Sequence, residues 1–227
     1  MLRYFFESGS ITLLHNNHQK VTDSQPILVS LPLQWLNPLL QMAEKESLID
    51  KLVYLFKRKV LRDYRTKLNY QYKHGGWDWL GRLDEQGHHF VMAGYIRYLK
   101  PNAKVLDLGA GEGILNDALQ KQNYSRYVGV DLSDEAANMG NQKRGDEKTI
   151  FQQGDMDKYV PDGKYDIIVI NEALYFSKAP LKLLNRLEAY LEPEGFFLIS
   201  LLVKAQDIWQ ELNTEYDFVD ENTVINI

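Results

Sequence analysis

The sequence predicts an α/β fold built on a doubly wound, mostly parallel sheet. Three observations predict it. From His88 onward, short apolar runs alternate with stretches of helical spacing. The runs VLDL at 105–108 and YDIIVI at 165–170 are apolar nearly throughout, as strands covered on both faces must be. The first of these runs ends in a glycine-rich turn that opens directly into a helix.

The elements follow in order. Apolar runs at 11–14 and 27–31 read as short β-like segments, separated by the polar stretch 15–25. Asn37 followed by Pro38 is a helix cap with proline at the first helical position. Ser47 with Asp50 resembles a second cap, and Ile49, Leu52, Val53, Phe56, Val60 and Tyr64 then fall at helical spacing. A helix over 47–70 is expected, broken by a loop at His74, Gly75 and Gly76. A helix over 88–100 stops at Pro101. Strands are then expected at 104–108, 127–130, 149–151, 165–170 and 196–203, with helices at 114–122, 134–141, 179–191 and 205–213. The chain thus divides into an N-terminal, mainly helical extension (1–85) and a cofactor-binding domain (86–227).

Composition bounds the function. A chain of 227 residues, 44% hydrophobic, suits one medium domain with an extension. Charged residues at 25% are ordinary for a globular protein. A net charge of -5 argues against a nucleic-acid partner, which would call for a basic balance. No cysteine is present, which removes disulfides, thiolate metal sites and cysteine nucleophiles. No metal is expected. The start MLRYFFESGS lacks the apolar core of a secretory signal, and no run reaches the roughly 18 apolar residues of a membrane span. The expectation is a cytoplasmic protein with no membrane partner.

The chemistry concentrates at Val105-Leu106-Asp107-Leu108-Gly109-Ala110-Gly111-Glu112-Gly113. Glycines let the backbone turn sharply and approach a ligand, and the helix start offers unpaired N–H groups. Ligands of such sheets bind at the carboxyl ends of the strands. The dinucleotide pattern G-x-G-x-x-G would need glycine at position 114, where Ile114 stands. The spacing is instead G-x-G-x-G, with Asp107 two residues ahead. A carboxylate facing the turn suits a ligand bearing an ammonium and a sulfonium better than a pyrophosphate.

The string resembles motif I of the class I S-adenosylmethionine-dependent methyltransferases, small-molecule type, which have a Rossmann-like sheet. The resemblance continues in order over about residues 88–205. Tyr127-Val128-Gly129-Val130-Asp131 is similar to the second strand, ending in an acid that holds a ribose diol, with Leu132 beside it. Gln153-Gly154-Asp155-Met156 is similar to the third strand's end, where an acid meets the adenine amino group and the next residue packs on the ring. Residues 165–174, through Asn171 and Glu172, are similar to the fourth strand and the acceptor-side turn. Residues 191–198 are similar to the turn into the fifth.

The resemblance implies S-adenosyl-L-methionine as cofactor, held by Asp107, Gly109, Ala110, Gly111, Gly113, Asp131, Leu132, Asp155, Met156 and Asn171. It implies methyl transfer to an O, N or C atom of a small molecule; the alternative is a non-catalytic module that binds the cofactor or its product. Candidate catalytic residues are His88 and His89, which would equally suit a solvated helix start, and Glu172, as base or hydrogen-bonding partner. The amine methylases of nucleic acids carry Asn/Asp-Pro-Pro-aromatic where this chain reads Asn171-Glu172-Ala173-Leu174, which argues against that subclass. Tyr70, Tyr72, Trp77 and Trp79 suggest a lid over the site, or packing, or an interface in a homodimer. The basic run Lys57-Arg58-Lys59, with Arg62, Arg65 and Lys67, suits a solvated face, a phosphorylated substrate or an acidic carrier. One departure stands out. The family closes its sheet with two further strands, and 217–227 has room for one. The C-terminal sheet edge is therefore incomplete, or an N-terminal run takes the missing place.

Overall fold

A computed structural model describes residues 9–16, 64–202 and 205–224 of the chain. The expected runs at 27–31, the cap at Asn37 and the basic cluster Lys57–Arg62 lie outside these residues.

Five parallel strands form the sheet: β2 (Ala103–Leu108), β3 (Tyr124–Asp131), β4 (Thr149–Gln153), β5 (Tyr165–Asn171) and β6 (Leu191–Leu202), in the order β4-β3-β2-β5-β6. The order reverses between β2 and β5, and the crevice at that switch point is where such sheets hold ligands. Side chains alternate across the sheet and feed two cores. Leu106, Leu108, Val130, Ile168, Ile170 and Phe197 face one side, with Leu184 and Trp209 from α5 (Pro180–Leu187) and α6 (Gln206–Leu212). Val105, Ile167, Val169 and Leu198 face the other, with Met92 and Ile96 of α2 (Gly87–Leu99) and Leu115 of α3 (Ile114–Leu119).

Helix α4 (Asp134–Arg144) shows why these segments become helices. The Ser133 hydroxyl caps it by accepting from the Ala136 N–H at 3.1 Å. Asp134 and Glu135 sit in its first turn and Lys143 and Arg144 in its last, matching the helix dipole at both ends. Of the helix expected over 47–70, the described part is α1 (Tyr64–Lys73). It packs on the start of α4 through Arg65 and Asn69, which both donate to the Asp134 carboxylate.

Two boundaries differ most from the sequence reading. The helix expected to run to 191 ends at Leu187, and a short 3-10 turn over Glu188–Tyr190 carries the chain into β6. That strand begins at Leu191 rather than 196 and absorbs Glu192, Pro193 and Glu194 as an irregularity: Tyr165 pairs with Leu191, while Ile167 pairs with Phe196. Proline and a left-handed Glu194 (φ 62°) tolerate this because the segment lies at the start of the strand.

The missing strand is supplied from the N-terminus. β1 (Gly9–Asn16) pairs antiparallel with β7 (Tyr216–Val224), from Gly9 opposite Val224 to Asn16 opposite Tyr216, with a register shift at Leu13/Leu14. β1 also runs close along β6, so the pair stands at the β6 edge of the sheet. Among the described residues no helix is long and apolar enough to cross a membrane.

Candidate active site

The glycine turn follows β2. The N–H groups of Gly109 and Ala110 both donate to the Val130 carbonyl, at 2.7 and 3.1 Å, fastening the turn to the end of β3. Gly109 has φ 81°, and a side chain there would collide with the Ala173 methyl group, so the close approach of the β5 loop requires glycine. At Gly111 (φ 56°) an added Cβ would come within 2.8 Å of the Tyr72 hydroxyl, so α1 lies directly on the turn.

A cavity opens at these strand ends. Its walls include Gly109, Ala110, Gly111, Asp131, Leu132, Asp155, Met156, Asn171, Glu172, His88 and His89. Two of the residues expected at the site, Asp107 and Gly113, are not in the wall and lie behind the turn. Asp107 is 1% exposed and accepts a hydrogen bond from the Tyr127 hydroxyl. Burial, with the Asp131 charge adding to it, pushes its carboxyl up to about 7 against the opposing hydrogen bond.

Asp131 sits between the turn and α4. One carboxylate oxygen accepts from the Gly111 N–H at 2.9 Å and the other from the Ser133 N–H at 2.8 Å. Burial raises its pKa to about 6, against the pull of those two bonds. Each oxygen keeps a further lone pair toward the cavity. Asp155 is more open and is held below the usual carboxylate range by Lys158, which donates to it at 2.8 Å. Its neighbour Met156 packs against the core, and Arg186 clamps this loop by donating to the Met156 and Tyr159 carbonyls.

On the acceptor side, Glu172 occupies a left-handed conformation (φ 49°), a strained backbone of the kind that functional sites retain. Its Oε1 lies 2.9 Å from the Ser200 hydroxyl, which also lies 2.7 Å from Asn171 Oδ1. Its Oε2 is buried with no hydrogen-bond partner among the described residues. Burial pushes the Glu172 carboxyl up to about 8. Ser200 has one proton to give. With Glu172 protonated, the acid donates to Ser200 Oγ and Ser200 donates to Asn171, and every contact is satisfied.

The histidines are not a solvated helix start. His88 is 4% and His89 5% exposed, and their rings lie 4.0 Å apart at the head of α2. Burial takes His88 well below its ordinary pKa and His89 down to about 4, so both are neutral at pH 7. The opposite wall and roof come from α1 and the segment after it: Tyr64, Leu68, Tyr72, Trp77, Trp79 and Leu80. Tyr72 stacks on Trp77 at 5.8 Å between ring centroids, and Trp77 on Trp79 at 6.2 Å. Of the basic residues, Arg65 pairs with Asp134 and Lys67 lies 5.5 Å over the Tyr64 ring. Among the described residues no group of acids and histidines could hold a metal ion.

Sequence reasoning missed Glu85, Tyr64, Tyr175 and Phe176, all in the cavity wall, and the supporting Ser200. Ser200 did leave a signal, as the lone hydroxyl in the apolar run FFLISLL. Glu85 left none, because its burial depends on how the turn before α2 folds back.

A parallel sheet with its glycine turn at the switch point, and acids at the ends of the next two strands, defines a Rossmann-like domain of the class I S-adenosylmethionine-dependent methyltransferase type. The chain belongs to the family described as "Methyltransferase domain", whose model matches residues 83–227. It is similar to the ribosomal protein L11 methyltransferase of Dictyoglomus thermophilum, 31% identical over 109 residues, which cover 47% of this chain and 35% of that one. It is also similar to the phosphoethanolamine N-methyltransferase of Plasmodium falciparum, 28% identical over 134 residues, 57% of this chain and 50% of that one. The chain thus spans between a third and a half of the length of these two curated relatives. Among solved structures, the N-methyltransferase NodS from Bradyrhizobium japonicum, in complex with S-adenosyl-L-homocysteine, shares the fold: TM-score 0.52, 16% identity, covering 60% of this chain and 71% of that one.

Proposed function

We propose that this chain binds S-adenosylmethionine on the glycine turn and transfers its methyl group to a small-molecule acceptor held under the N-terminal cover. The observation that carries the reading is the cavity itself. It gathers the turn, Asp131, Asp155 and Glu172 from strand ends far apart in sequence, and α1 and the two tryptophans roof it. The residues suit this cofactor. Asp131 has charge and free lone pairs for a ribose diol, and Leu132 and Met156 offer apolar surface to flank an adenine. Asp155 can accept from an exocyclic amine. The turn of Gly109, Ala110 and Gly111, free of bulky side chains, leaves room for the amino-acid end, with Asp107 and Gly113 outside the wall supporting it.

S-adenosylmethionine, when bound, supplies a methyl carbon attached to positive sulfur. The protein's part is to align the acceptor, exclude water and take a proton. Glu172 is the proposed proton acceptor in its ionised form, which with a carboxyl raised to about 8 is the minor form at neutral pH and grows as a cation enters the cavity or the pH rises. Asn171 and Ser200 hold its orientation. Neutral His88 and His89 offer a second hydrogen-bonding edge on the facing wall.

The roof favours a small acceptor over a folded protein surface. Incubating the full chain with methyl-labelled S-adenosylmethionine and a cell extract tests this directly. Label is expected in the small-molecule fraction, while label confined to protein or RNA would overturn the small-molecule reading.

A further inference from the structure

The acceptor half of the cavity has a charge pattern that the cofactor alone does not explain. Glu85, on the turn before α2, and Glu172, at the end of β5, face the same cavity from two walls. Glu85 is 2% exposed. Arg82 acts on it weakly, being engaged by Asp84 through two hydrogen bonds of 3.1 and 2.7 Å, and the Asp84 charge outweighs it. Among the described residues no lysine or arginine lines the cavity. Buried carboxyls with little cationic compensation are costly when ionised, and both are displaced upward, chiefly by burial, Glu85 to about 7 and Glu172 to about 8. The Nδ1 of His88, itself almost wholly buried in the same wall, has no hydrogen-bond partner among the described residues. Tyr72, Trp77 and Trp79, stacked in series, line the same cavity, and aromatic faces attract cations.

One positive charge, the sulfonium, belongs to the cofactor. Two buried acids and an aromatic roof provide for a second. Building on the methyltransferase reading, we propose that the acceptor is an amine on an apolar or ring-bearing body, its nitrogen received between Glu85 and Glu172 beneath the Trp77 and Trp79 rings. An acceptor with a phosphate or carboxylate at the reacting end would meet two acids and, among the described residues, no compensating cation. In the reaction the ammonium gives one proton to the Glu172 carboxylate. The freed lone pair forms the new N–C bond, and the old C–S bond breaks with its electron pair passing to sulfur, which leaves as a neutral thioether. Glu85 stays ionised as the counter-charge.

Three probes of matched shape test this: 2-phenylethylamine, 2-phenylethanol and phenylacetate, titrated calorimetrically into the full chain saturated with S-adenosylhomocysteine. The amine is expected to bind at least tenfold tighter than the alcohol, and phenylacetate not at all. The apparent enthalpy for the amine should change with the buffer's ionisation heat, because binding shifts protons on the two acids. Glu85→Gln should remove the preference for amine over alcohol. Phenylacetate binding as well as the amine, equal or absent binding of all three, or a preference that survives Glu85→Gln would overturn the proposal. Each of those results leaves the methyltransferase reading standing so long as S-adenosylhomocysteine itself binds; failure of that first titration overturns both.

Discussion

Asp131 does two things with one carboxylate. It ties the glycine turn to the start of α4 through the Gly111 and Ser133 N–H groups, and it presents its remaining lone pairs to the cavity. Asp131→Ala therefore removes the proposed ribose acceptor and loosens the turn together. Hydrogen bonds to charged groups contribute roughly 1.5–3 kcal/mol, so affinity for S-adenosylhomocysteine should fall at least about tenfold, with the circular dichroism spectrum unchanged. Unaltered affinity would place the ribose contact elsewhere. Glu172 allows a second check at this scale. An acid whose folded pKa is raised binds its proton more tightly folded than unfolded. Its stabilisation is complete below the unfolded value and is lost as pH rises through the folded value, about 8 here. Glu85 and Asp107, both near 7, and Asp131, near 6, act in the same direction. His88 and His89 act oppositely, but their effect is complete by about pH 6.5, the unperturbed histidine value. The melting temperature of the ligand-free protein should fall between pH 6.5 and 8.5, and Glu172→Gln should flatten the upper part of that fall. Parallel curves for the two proteins would mean that Glu172 is ionised in the folded state.

At the scale of elements, α1 is fastened beside Asp131. Asn69 donates to Asp134 at 2.8 Å and accepts from the Ser133 hydroxyl at 2.7 Å, one residue beyond the Asp131–Leu132 bend. The chain then turns at Gly75, whose φ is 71°, and brings Trp77 and Trp79 into the cavity wall. This arrangement supports the lid proposed above. The double substitution Trp77→Ala, Trp79→Ala should lower turnover of the acceptor that takes the label by tenfold or more, while shifting S-adenosylhomocysteine affinity less. Turnover at the wild-type rate would leave these rings as packing only. The strands were legible because buried parallel strands must be apolar on both faces, and VLDL and YDIIVI are. The glycine turn was legible because close approach and positive φ leave few residue choices. Element ends were less so. Leu187 and Leu191 carry the same apolar signal, and where helix gives way to strand is decided by pairing with β5 rather than by the residues themselves.

For the whole molecule, the sheet edge is the feature that one-dimensional reading could only pose as a choice. An N-terminal run and the C-terminal strand meet across some two hundred residues, and pairing of that range depends on which edge is left open once the core has formed. The acceptor side of the cavity was illegible for the same reason. Glu85 and Tyr64 share a cavity wall with Glu172 only when α1 and the turn before α2 fold onto the strand ends. The cofactor side was readable because each of its residues stands at a strand end, a position fixed by local pattern. The central claim is that these strand ends together form a site for S-adenosylmethionine. Calorimetric titration of the full chain with S-adenosylhomocysteine and, separately, NADH tests it most directly. The expected result is saturable one-to-one binding of S-adenosylhomocysteine in the micromolar range and no heat from NADH; binding of NADH with none of S-adenosylhomocysteine would contradict it.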